Sequence, residues 1–90
     1  MTLASRLMQI KEEQDRDKKE VLVDEFLELI DGHPEQDLLL NGLEQAELGR
    51  GFIDYGRAGI MPETLKEEGF VLVAAGAGFH IHFDKKEGEN

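Results

Sequence analysis

The sequence predicts an α+β domain, and three observations carry that prediction. The stretch from Gly69 to Phe83 contains no Asp, Glu, Lys or Arg in a chain that is 33% charged, and it alternates as a β-hairpin does. Residues 21–48 instead place apolar side chains at helical spacing, interrupted by Asp31-Gly32-His33-Pro34. Between these two regimes lie four glycines within residues 49–61. The expected architecture is an N-terminal antiparallel helix pair packed on a C-terminal hairpin, with residues 52–55 a candidate third strand.

The first helix opens at Thr2, a suitable N-cap, and carries Leu3, Leu7 and Ile10 with Ala4 and Met8 beside them. The ten residues Lys11–Glu20 are all polar, and fit either a solvated continuation of the helix or a linker. Apolar periodicity resumes at Val21, Leu22, Val23, Phe26, Leu27, Leu29 and Ile30, while Asp24, Glu25, Glu28 and Asp31 form a polar stripe. If residues 3–30 were one straight helix, residue 22 would lie about 100° round from Leu3. Residues 3–10 then need not pack on the same core and can serve as a protruding dimerisation arm.

Gly32 suits the left-handed position after a helix, and Pro34 opens the next one. That helix runs to about Leu48, with Leu38, Leu39, Leu40, Leu43, Ala46 and Leu48 on its apolar side. Pro62–Gly69 reads as a short helix with proline at its start and glycine at its end. An isolated hairpin is marginal in water, so a further strand is wanted, from residues 52–55 or from a second copy pairing edge to edge.

The hairpin register follows from its loop. With Gly76-Ala77 as a type II′ turn, Phe70 faces Phe83, Leu72 faces Ile81 and Ala74 faces Phe79. These six side chains share one face; Val71, Val73, His80 and His82 share the other. The expected core is Phe70, Leu72, Phe79, Ile81 and Phe83 against Leu22, Phe26, Leu29, Ile30, Leu39 and Leu43. Residues 1–84 form the single domain, and 85–90 a polar, disordered tail.

Glu67-Glu68-Gly69-Phe70 after a short helix and before a glycine-tipped hairpin is similar to the ending of winged-helix domains. The resemblance implies a wing. This one lacks the Lys or Arg that such wings set against phosphates, which implies a protein-binding version.

Charge narrows the function classes. Twenty acids against ten bases give a net charge of −10, which argues against nucleic acid and anionic membranes as direct partners. Without cysteine there is no disulfide, thiol chemistry or cysteine-based zinc site. No apolar run suits a membrane span or signal peptide, so the expected location is cytoplasmic. No nucleophile–base pairing stands out, so a non-enzymatic protein without a cofactor is expected.

From Glu20 to Gly49 there are nine acids and no Lys or Arg. Asp24, Glu25, Glu28, Asp31, Glu35, Glu44 and Glu47 are the candidate docking residues for a basic surface on another protein. The expected role is a small regulator or inhibitor of the kind a phage or mobile element encodes, with a homodimer as a further option. The alternative is a small-ligand or anion site, nucleotide-like, in the glycine-rich segment 49–59, using Arg50, Tyr55 and Arg57. His80 and His82 alternate on one strand and are weak metal candidates; their bland reading is as surface histidines.

Overall fold

A computed structural model describes residues 1–85. Its element order is α1 (Leu3–Glu12), α2 (Arg16–Ile30), α3 (Gln36–Glu47), β1 (Phe52–Gly56), α4 (Glu63–Glu67), β2 (Val71–Ala75) and β3 (Gly78–His82). The helices pack on a three-stranded antiparallel sheet of order β1-β3-β2, which is the α+β class expected. Most of the expected tail lies outside the described residues.

The hairpin has the register that its loop demands. Val71 pairs with His82, Leu72 with Ile81, Val73 with His80, Ala74 with Phe79 and Ala75 with Gly78. Gly76 has φ +61° while Ala77 beside it has no positive φ, as a type II′ turn with glycine in its first central position requires. Phe70 and Phe83 meet edge to face, with ring centroids 6.4 Å apart. The third strand comes from the chain itself: β1 pairs with β3, Ile53 opposite Ile81, with a bulge between Asp54 and Gly56.

The N-terminal region departs from the expectation. The polar stretch breaks at residues 13–15, where the Asp15 carboxylate accepts from the backbone N–H of Asp17 and Lys18 and starts a new helix. Because the chain turns there, the angular offset computed for one straight helix does not apply. α1 folds back to touch both α2 and α3, and Leu3, Ala4, Leu7 and Ile10 are buried in the common core. It is therefore no protruding arm. Its start is pinned as well: Thr2 accepts from Ser5 N–H, and the Leu3 and Ala4 N–H groups donate to the Glu68 carboxylate and carbonyl. These bonds occupy amide donors that a helix N-terminus otherwise leaves unpaired.

The core joins α1 to Phe26, Ile30, Leu39, Leu43, Ala46, Ile53, Leu65, Phe70, Ile81 and Phe83. Gly42 lets α3 approach closely, since a Cβ there would lie 3.0 Å from Leu7 Cδ1 and 3.2 Å from Ile53 Cδ1. Two residues expected in the core are not. Leu29 is 49% exposed, because it flanks the Phe26–Ile30 stripe that faces inward. Phe79 is half-buried at the turn end of the hairpin, near Gly59 and outside the buried cluster.

Candidate functional site

The acidic surface is built by helical geometry. On α2 and its C-cap, Asp17, Glu20, Asp24, Glu28 and Asp31 succeed one another at steps of three and four, and all are exposed. They form one carboxylate stripe opposite buried Phe26 and Ile30, with Val21, 57% exposed, among them. Glu25 flanks the stripe, 3.9 Å from the Arg6 guanidinium of α1. On α3, Asp37, Leu40, Glu44 and Glu47 make a second exposed stripe, opposite Leu39, Leu43 and Ala46. Glu35 stands apart: it is half-buried in the α2–α3 turn, where its backbone N–H donates to His33 Nδ1 at 3.0 Å.

Asp17 belongs to the α2 stripe although Lys18 and Lys19 end the base-free run beside it in sequence. Helical phase turns the two lysines away from the stripe, and Lys19 is half-buried against the protein. A helical projection of residues 16–31 separates them, where a linear reading of charge does not.

The end of α2 runs against its own electrostatics, and at the end of α3 only Arg50, three residues beyond Glu47 and bonded to Gln45 Oε1, offsets the local acids. Neither α2 nor α3 has a basic residue in its last turn. Glu28 and Asp31 stand at the end of α2, Glu44 and Glu47 at the end of α3, where the helix dipole favours cations. Carboxylates in those places cost about 0.3–1 kcal/mol each at an exposed site.

The arginines of the glycine-rich segment do not converge. Arg50 lies before β1 and donates from Nη1 to Gln45 Oε1 at 3.2 Å. Arg57 lies beyond the far end of the same strand, exposed. At about 3.3 Å per residue, β1 sets them at opposite ends of the sheet. The Tyr55 hydroxyl between them donates to the Ile60 carbonyl at 3.3 Å.

His80 and His82 point to the outer face of the sheet as the register dictates, and His80 is partly exposed there, but His82 is not the surface histidine expected. His82 is buried, at 8% exposure, and its Nδ1 lies 2.7 Å from Asp84 Oδ1. Phe52, its partner on β1, stacks on His80 with centroids 4.3 Å apart and sits 5.2 Å from the His82 ring. The aromatic cover comes from β1, whose pairing partner the local sequence does not specify. Among the described residues, no group of three or more His, Asp or Glu side chains is placed to hold a metal ion.

A cleft of about 400 Å³ lies between the start of α1 and Phe70, Phe83 and Asp84. Its hydroxyls, Thr2 and Ser5, are engaged with each other and with the cap of α1. No helix among the described residues is long and apolar enough to cross a membrane. Compared with protein-family models, curated proteins and solved structures, the chain matches none.

Proposed function

We propose that the protein is a small, non-enzymatic cytoplasmic regulator or inhibitor that docks a basic surface of another protein against the carboxylates of α2 and α3. The observation that carries this reading is the placement of acids at the ends of both helices, where they lower the stability of the free chain. A basic partner would convert that local penalty into attraction and speed encounter. Exposed Val21 and Leu40, set among the acids, would add apolar contact. Phosphate-array mimicry by a phage or mobile-element antagonist is one form such a function takes. The anion-site alternative has less support, because Arg50 and Arg57 sit at opposite ends of β1.

The test is partner capture by a chain carrying Glu25→Lys, Glu28→Lys and Glu44→Lys. Capture from the native cell extract should disappear while the circular dichroism spectrum stays that of the folded protein. Undiminished capture by the reversed chain would refute the assignment. A thermal-shift screen with nucleotides and phosphate metabolites addresses the alternative: stabilisation that Arg57→Ala removes would favour it.

A further inference from the structure

We propose that the free edge of β2 pairs with the β2 edge of a second copy of this chain, joining two sheets into one of six strands. The argument begins with the two edges of the sheet. β1 is blunted by the bulge between Asp54 and Gly56, by exposed Asp54 in the strand and by Arg57 just beyond it. These are devices that keep strand edges from pairing. β2 has none of them: Val71-Leu72-Val73-Ala74-Ala75 is regular, uncharged and free of proline.

The register fixes which backbone groups are available. In a two-residue hairpin the residues flanking the loop form a hydrogen-bonded pair, here Ala75 and Gly78. Val73 and Val71 therefore also bond inward to β3, while Leu72 and Ala74 turn N–H and C=O to the open edge. The bond from Phe83 N–H to the Gly51 carbonyl, 3.0 Å, confirms the alternation on the other side of β3. The next outward donor, Phe70 N–H, is already bonded to the Leu65 carbonyl at 3.1 Å. Leu72 and Ala74 thus offer two donors and two acceptors, with the Phe70 carbonyl beyond them.

An identical antiparallel strand satisfies all four when the two-fold axis passes through Val73. Leu72 then bonds to the partner's Ala74 and Ala74 to the partner's Leu72, with Val73 facing its own copy. Centring the axis on Leu72 sets the Ala74 carbonyl against a Phe70 N–H already bonded to Leu65, and centring it on Ala74 sets Leu72 against the turn residue Gly76. The edge is thus self-complementary, as a two-fold interface must be.

Its chemistry suits a chain of net charge −10. A groove of about 370 Å³ beside this edge is lined by Ile60, Met61, Phe70, Val71 and Leu72, with Glu63 and Lys66 as its charged residues. One acid and one base bring no net charge to the contact. Ile60, 84% exposed, supplies apolar surface beside it.

The experiment uses the full chain, which has no native cysteine. Sedimentation should give about twice the 10.1 kDa chain mass. Val73→Cys should cross-link to a covalent dimer on mild oxidation, because a directly opposed, non-hydrogen-bonded pair has Cα atoms about 4.5 Å apart, within disulfide reach. Val71→Cys, on the same face but opposite the partner's Ala75, should remain uncross-linked. Ala74→Pro removes an outward N–H, and Val73→Lys sets like charges face to face; either should give a folded monomer. The proposal is overturned by a monomer at every concentration. It is equally overturned by a dimer that Val73→Lys leaves intact, by equal cross-linking at positions 71 and 73, or by a monomer that pairs only with a foreign extended peptide.

Discussion

Reversing the acids at the helix ends should strengthen the fold and weaken its partner interaction together. Consider Glu28→Lys with Glu47→Lys, one near the end of α2 and one at the end of α3. A favourable charge near a helix terminus contributes about 0.3–1 kcal/mol at an exposed site, so the two new lysines together contribute about 0.6–2 kcal/mol. The new lysine at position 28 also follows Asp24 by four residues, the favourable orientation, adding about 0.2–0.5 kcal/mol. Each reversal adds two charges, so the net charge moves from −10 to −6, which relieves self-repulsion further. The sum is roughly 1–2 kcal/mol. For a domain of this size, each kcal/mol raises Tm by about 4–8 °C. Calorimetry should therefore show a Tm higher by roughly 5–15 °C, and a pull-down should show lost capture. A lowered Tm would refute the dipole argument. A raised Tm with capture intact would leave these carboxylates with no role in docking.

Other outcomes follow from the same geometry. Leu7→Ala, at a side chain with 0% exposure packed on α3 and β1, should cost about 2–5 kcal/mol in urea denaturation. A protruding arm would show almost no loss. Gly76→Ala forces a side chain to adopt the φ of +61° at the hairpin tip and should cost about 1–3 kcal/mol, measured as a lower denaturation midpoint. Raising salt from about 0.15 M to 1 M shortens the screening length from about 8 Å to 3 Å. Partner capture through carboxylates should fall across that range, while the mass measured by sedimentation should not fall.

How far the sequence discloses this structure depends on whether the deciding signal is local. The hairpin is local: period-two alternation and one glycine fix which residues oppose which, and Leu72 opposite Ile81 follows from numbering alone. The stripes of α2 and α3 are local too, since helical period orders Asp24, Glu28 and Asp31 without reference to the rest of the chain. The place of α1 is not. It depends on a break inside ten polar residues, where Asp15 and Asp17 are equally eligible caps and every residue also fits a continuing helix. The burial of His82 depends on a neighbour thirty residues earlier, Phe52, chosen by strand order. Leu29 shows a subtler limit: periodicity assigns it to the apolar side, but helix packing decides which margin of that side is covered.

The distribution of charge offers a reason for the sheet's composition. An antiparallel sheet with one face on its core ordinarily turns polar side chains outward. Here the outer face of the hairpin carries Val71, Val73, His80 and His82, and no Asp, Glu, Lys or Arg occurs between Gly69 and Phe83. Core packing explains Leu72, Ile81 and Phe83 but makes no demand on Val73, whose side chain faces away from the helices. His80 and His82 are accounted for by Phe52, which stacks over them from β1. Val71 and Val73 lie on the opposite flank, beside the open edge, where no strand among the described residues pairs. A neutral, β-branched flank next to two outward donors and two outward acceptors is what a continuing strand requires. The carboxylates on the helices act over a Debye length and the sheet edge only at contact, so one small domain can hold a salt-sensitive docking surface and a salt-tolerant self-association edge without mutual interference.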